Sequence, residues 1–215
     1  MSQTTTLSKE IIEMWNLVNL QHEKTLNAFL NFDQDLAREV ILIEERVDSS
    51  EQMIDEDCEH FLTCRVQPAP GIPFVMHVMK INKQLEQIGD IAEAIVTDLL
   101  AAEEPFSEEL VDEVPIEELY RKCIRMLEMG LDAFTVNDRK LAQVVLSRVE
   151  VFQDLSTGVN DALSNFLKLH PEQIKSSLTI FSMVKSLENL VDHIRALTEE
   201  LLCFEQKGVT LHSNA

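Results

Sequence analysis

Between residues 78 and 99 the apolar side chains Val78, Ile81, Leu85, Ile88, Ala92, Ile95 and Leu99 fall at steps of 3, 4, 3, 4, 3 and 4. A helix of 3.6 residues per turn gathers such positions onto one face, whereas a strand needs a period of 2. Ile180, Met183, Leu187, Leu190, Ile194, Leu197 and Leu201 take the same steps 102 residues later. Two long amphipathic helices of one design are therefore expected. The chain has only 5 Gly and 6 Pro in 215 residues, and most of them gather at breaks: Pro68, Pro70, Gly71 and Pro73, then Pro105 and Pro115, then Pro171. Between the breaks lie segments rich in Leu, Glu, Ala, Lys, Gln and Met, which favour helix. The fold class predicted is all-α.

The repetition extends upstream. Asn27, Ala28 and Phe29 with Asp33, Leu36, Ala37 and Val40 match Asp132, Ala133 and Phe134 with Asp138, Leu141, Ala142 and Val145 at an offset of 105. The fall from 105 to 102 places a three-residue contraction before the third helix of the second copy, where residues 68–73 shrink to His170-Pro171. Six helices follow, over about 7–32, 33–65, 73–103, 116–136, 137–169 and 171–206. They form a tandem repeat of two antiparallel three-helix bundles. The domains are residues 1–103 and 116–215, joined end to end or side by side through an acidic linker at 104–115. Asp33 and Asp138 suit N-caps, and Pro115 and Pro171 suit first turns. The acids around the linker, Glu103, Glu104, Glu108, Glu109, Asp112 and Glu113, are read as solvated, with partner docking as the open alternative.

Charge narrows the function. With 38 acidic against 18 basic side chains the net charge is -20, and no Lys/Arg cluster offers the basic face that nucleic acid requires. A hydrophobic fraction of 45% argues against disorder. The first ten residues, MSQTTTLSKE, lack the basic and apolar regions of a signal peptide, and no apolar run approaches the length of a membrane span. Cys58, Cys64, Cys123 and Cys203 match no metal or redox spacing and read as reduced thiols. There is no Gly-rich phosphate loop, nucleophile elbow, HExxH or ExxH pair, and His22, His60, His77, His170, His193 and His212 share no metal-ligand spacing. Each histidine is read as a surface or core-edge residue.

The carboxylates are patterned. Glu44, Asp48, Glu51 and Asp55 are spaced 4, 3 and 4 along the second helix, beside the seam of Leu36, Val40, Ile43, Val47 and Ile54. Glu86 and Asp90 stand four apart on the third helix, outside the Leu85/Ile88/Ala92 seam. Like charges at this spacing repel, and a cation relieves that repulsion. All-oxygen ligand sets suit hard ions such as Mg, Mn or ferric iron. A solvated acidic face is the alternative. Residues 1–107 carry 7 basic and 20 acidic side chains, against 11 and 18 in residues 108–215, and eight of those first-half acids lie between Glu44 and Glu59.

The run Lys83-Gln84-Leu85-Glu86-Gln87-Ile88-Gly89-Asp90-Ile91-Ala92-Glu93 resembles the LERIGDxA signature of the PhoU family of phosphate-signalling regulators. Asp35-Leu36-Ala37-Arg38-Glu39-Val40, with Val47, Ile54, Asp55 and Cys58, resembles that family's second-helix pattern. The likeness spans nearly the whole chain, including the duplication. It implies metal binding through ExxxD motifs by a divalent or ferric ion (Mg, Mn, Fe or Zn), with Glu86 and Asp90 as the motif and Glu44 and Asp48 as second-helix partners. Glu188 and Asp192 match the motif in the second copy, but Val191 replaces the glycine, and Val149 and Gln153 stand where Glu44 and Asp48 stand in the first. Gln87 occupies the usual arginine position.

The resemblance also implies a non-enzymatic role at the cytoplasmic side of the membrane. Such a protein couples a phosphate ABC transporter, through its ATPase subunit, to a sensor histidine kinase, keeping the phosphate-starvation response off when phosphate is plentiful. Membrane association would run only through those partners. Two alternatives stay open: an accessory protein of a low-affinity phosphate or inorganic-ion permease, and a carboxylate-based metalloenzyme or metal store. A homodimer is expected from the resemblance, with Phe74, Met76 and Met79 as residues that could pair subunits.

Overall fold

The computed structural model describes residues 3–63 and 71–203, apart from the side chains of residues 3 and 153–155. Cys64, Pro68, Pro70 and His212 lie outside the described residues. The described elements are α1 (Gln3–Asn31), α2 (Gln34–Thr63), α3 (Gly71–Ala101), α4 (Glu108–Glu113), α5 (Ile116–Val136), α6 (Arg139–Ser156), α7 (Val159–Leu169), a 3₁₀ turn (Pro171–Gln173) and α8 (Ile174–Cys203). No strand occurs among the described residues.

The turns between first and second helices are built alike in the two copies. At the end of α1 Phe32 takes a left-handed conformation (φ 50°), as does Asn137 (φ 53°) at the end of α5. The next residue caps the following helix. Asp33 Oδ1 accepts from the Asp35 and Leu36 amides at 3.0 and 2.9 Å, and Asp138 Oδ1 from the Lys140 and Leu141 amides at 2.9 and 3.1 Å. Phe32 is a bulky residue for that backbone region. Its ring meets Phe106 edge-on at 6.3 Å, while Phe106 also packs on Phe29 at 5.3 Å, which anchors the start of the linker.

One expectation is corrected. The helix expected over 137–169 is two helices, broken at Thr157 and Gly158. Its counterpart α2 runs unbroken through Met53, the residue equivalent to Gly158, and a glycine costs a helix interior about 1 kcal/mol. The linker keeps the solvated acids expected of it and adds structure of its own. Its acids are exposed, yet it forms α4, capped by Ser107 Oγ accepting from the Leu110 amide at 3.2 Å, and it buries Leu110 and Val114.

The halves lie side by side, and equivalent helices meet: α1 packs on α5 and α3 on α8. Both pairs are antiparallel. Along α3 and α8, His77 meets Glu200 (2.9 Å), Gln84 meets His193 (2.9 Å) and Asp98 meets Ser182 (2.7 Å). The Glu200 carboxyl feels burial, which would raise its pKa, but hydrogen bonds from Lys80 and His77 outweigh that and hold it low. Along α1 and α5, Trp15 is fully buried and donates from Nε1 to the Leu127 carbonyl at 3.2 Å. Seven residues on, His22 is also fully buried, rather than at the surface or the core edge. Burial drives its pKa down to about 4, against the pull of its bond to the Ile88 carbonyl, so the ring is neutral at neutral pH. Neutral His22 can donate from Nε2 to the Ile88 carbonyl and accept at Nδ1 from the Tyr120 hydroxyl, both at 2.9 Å. One continuous apolar cluster draws on both halves, with Trp15 and Tyr120 among its largest members. Phe74 belongs to that core and Met79 packs against it, so of the three residues named for subunit pairing only Met76, 48% exposed, presents a substantial surface.

Candidate metal centre

The α1 seam runs Leu7, Ile11, Met14, Val18, Gln21, Thr25 and Ala28 at steps of 4, 3, 4, 3, 4 and 3. That period places Gln21 in the core, where it is fully buried. It faces Glu44 of α2, which is only 3% exposed. Glu44 therefore stands in the core and not on the outer stripe that its spacing with Asp48, Glu51 and Asp55 suggests. Gln21 Nε2 donates to Glu44 Oε2, and also to the Gly89 carbonyl of α3 at 3.3 Å.

Gly89 makes this arrangement possible. A Cβ on residue 89 would lie 2.6 Å from Glu44 Oε2, 3.1 Å from Glu44 Oε1 and 3.2 Å from Gln21 Oε1. The space a side chain would fill is ringed by oxygens. Two of them, Glu44 Oε1 and Gln21 Oε1, are buried without a hydrogen-bond partner. Buried acceptors left unpaired cost on the order of 1–3 kcal/mol each.

Asp48 and Asp90 close the outer side. One carboxylate oxygen from each of Glu44, Asp48 and Asp90 lies within 4.8 Å of the other two. Burial first, and then the charges of Asp48, Asp90 and Glu93, push the Glu44 carboxyl up to about 7, against the hydrogen bond from Gln21. The Asp90 carboxyl is raised by burial, then by Glu86 and Asp48, with Lys83 and His193 opposing. Burial raises Glu51 too, and the neighbouring Asp55, Glu86 and Asp48 add to it, while Lys83 opposes. The site thus holds more acceptors than donors. Its chemistry fits a hard cation, which would pair the orphaned oxygens and relieve the carboxylate repulsion.

The other predicted ligands stand apart. Glu86 is bound by Lys83 at 2.7 Å and by Gln87 at 2.7 Å, and Gln87 reaches on to Asp90 at 3.3 Å. Gln87 thus bridges the ExxxD pair. In the second copy Glu188 pairs with Lys185 at 2.7 Å and Asp192 with Arg195 at 3.8 Å. Where the first copy has Gln21, Glu44 and Gly89, the second has Met126, Val149 and Val191, each 1% exposed. Gln153, equivalent to Asp48, has its side chain outside the described residues. Sequence spacing on the acidic helices did not single out Gln21; the signal was an amide in a mostly apolar seam.

Comparison with known proteins agrees with this architecture. The profile of the PhoU domain matches residues 11–99 and again residues 116–201. The phosphate-specific transport system accessory protein PhoU of Escherichia coli is 30% identical over 193 residues, covering 88% of this chain and 78% of that protein. The crystal structure of PhoU from Pseudomonas aeruginosa superposes with a TM-score of 0.83 at 24% identity, covering 93% of this chain and 95% of the other. The phosphate transport system regulatory protein PhoU from Streptococcus pneumoniae does so at 0.78 and 20%, covering 93% of each.

Proposed function

Because the chain belongs to the PhoU family, we propose that it regulates phosphate uptake and phosphate-starvation signalling by binding, without catalysing a reaction. It couples the ATPase subunit of a phosphate ABC transporter to a sensor histidine kinase and holds the starvation response off when phosphate is plentiful. It works at the cytoplasmic face as a homodimer, and no helix among the described residues is long and apolar enough to cross a membrane. The observation that carries the reading is the match of both halves to one domain, together with a relative described as a phosphate-transport accessory protein. Deleting the gene tests it. Alkaline-phosphatase output under phosphate excess should rise in the deletion strain and fall again on complementation; unchanged output would overturn the proposal.

The same reading includes a structural cation, divalent or ferric, held by Glu44, Asp48 and Asp90. Glu86 stands one turn away, and Glu188 and Asp192 form a weaker second candidate. What supports this is the buried, unpartnered Glu44 oxygen aimed among carboxylates. Gln21 touches Glu44 and not the cluster's rim, so it positions the ligand. Gln21→Leu should weaken binding ~10–100-fold, the usual cost of losing an outer-shell partner. Asp48→Asn with Asp90→Asn should abolish it. Titration of the metal-free protein with Mn²⁺, followed by elemental analysis after dialysis, reads both. Equal occupancy in the wild type and the Asp48/Asp90 variant would remove the site.

A further inference from the structure

The second copy lacks the polar core of the first and carries something the first lacks. Of 18 basic residues in a chain of charge -20, four line a single groove. Arg121, Lys122 and Arg125 come from α5 and Arg148 from α6, around a cavity of about 750 Å³. Val111, Val114, Pro115, Met126 and Val151 supply its apolar lining. At the equivalent positions of the first copy stand Asn16, Leu17, Leu20 and Ile43, none of them charged.

The cations are available. Arg121, Lys122 and Arg125 make pairs with Glu117, Glu118 and Glu128 three or four residues away on the same helix. Surface pairs of this kind are weak and exchange readily. Arg148 has no ion-pair partner among the described residues. On its helix it is flanked by Val144 and Val151, 43% and 54% exposed, four residues before and three after. One face of α6 thus offers apolar, cationic and apolar side chains in turn. Arg121 and Arg125 stand one helical turn apart on the facing helix, the spacing of two carboxylates on a partner helix.

We propose that this groove docks an acidic amphipathic helix of a partner protein, its apolar face on the valines and its carboxylates on Arg121, Arg125 and Arg148. Charge complementarity selects this occupant. Asp112, Glu117 and Glu118 also line the groove and oppose a compact polyanion such as a nucleotide, whereas carboxylates spread along a helix meet the guanidinium groups one by one. The mode is a helix laid into a hydrophobic groove with a charged rim. The inference rests on the reading of this chain as a binding protein and names the chemistry of its partner.

A photo-crosslinking residue, p-benzoylphenylalanine, placed at Val151 in the full chain tests this in cells, with exposed Leu42 of α2 as the control position. Mass spectrometry of the adduct should find a partner segment with acidic residues one turn apart beside apolar ones. Arg125→Glu with Arg148→Glu should cut the yield about tenfold or more while leaving circular dichroism unchanged. The proposal is overturned if Val151 gives no more adduct than Leu42, if the captured segment lacks acidic residues, or if charge reversal leaves the yield unchanged. It is equally overturned if, in lysate, millimolar ATP present during irradiation prevents the adduct from forming. An acidic segment from a protein outside phosphate transport would sustain the groove and sink the transport reading. A deletion strain with raised phosphatase and an empty Val151 position would do the reverse.

Discussion

Gln21→Met, Glu44→Val and Gly89→Val, introduced together, should make the metal-free protein more stable and end metal binding at the first-copy site. The three new residues are those that stand at Met126, Val149 and Val191 in the second copy, where they pack with 1% exposure. Replacing a buried charge that lacks full pairing by apolar side chains of suitable volume is often stabilising by ~1–4 kcal/mol. For a chain of this size each kcal/mol moves Tm by about 2–4 °C. Gly89→Val alone should do the opposite, since its Cβ would stand 2.6 Å from a Glu44 oxygen. Glu44→Val should rescue it, with a coupling of roughly 0.5–3 kcal/mol in the double-mutant cycle.

The gain should also depend on pH. The folded pKa of Glu44 is about 7, above its ordinary value of 4.5. Below 4.5 the carboxyl is protonated in both states. Between 4.5 and 7 the unfolded chain releases its proton first, so stability falls as pH rises and levels out above 7. In chelator the triple variant should therefore outrun the wild type by more at pH 8 than at pH 5. A lower Tm at pH 8 would show that the polar core serves the fold, and retained Mn²⁺ binding would show that the ion is held elsewhere.

Trp15→Ala should carry the largest loss of stability, on the order of 3–5 kcal/mol. Trp15 is fully buried where α1 meets α5, with its ring 6.1 Å from Phe134. Its Cζ2 stands 2.9 Å from where a Cβ on Gly130 would lie, so the two helices touch through a missing side chain. Truncation leaves a cavity against both halves at once. Chemical denaturation should show a lower midpoint and still one transition, because the apolar cluster is shared. Two separated transitions in the wild type would mean that the halves unfold independently.

The seam of α3 and its echo in α8 were legible because 3 and 4 steps admit one structure, and the matching N-caps Asp33 and Asp138 followed from the offset. The break at Gly158 was not, since one glycine in a periodic segment is compatible with an unbroken helix. The short α4 was hidden for a related reason: Leu110 and Val114 are too few to display a period among six nearby acids. The candidate metal centre was half legible. Asp48 and Asp90 could be read from carboxylate spacing, but Glu44 sits on the boundary between stripe and seam, and only packing against Gln21 and Gly89 decides which side it takes. Glu86 stands four residues before Asp90, yet it pairs with Lys83 and is not among the three clustered carboxylates.

The pairing of α1 with α5 and α3 with α8 gives the molecule the arrangement of a two-fold dimer written as one polypeptide. Two identical subunits in that arrangement would carry every substitution twice, once on each side of the axis. Covalent fusion lifts that obligation. A carboxylate could then be buried beside Gly89 without its twin beside Val191, and an arginine could surface at Arg148 without one at Ile43. Tandem duplication thus lets the two sides of one symmetric scaffold diverge, one toward a buried carboxylate and the other toward a cationic groove.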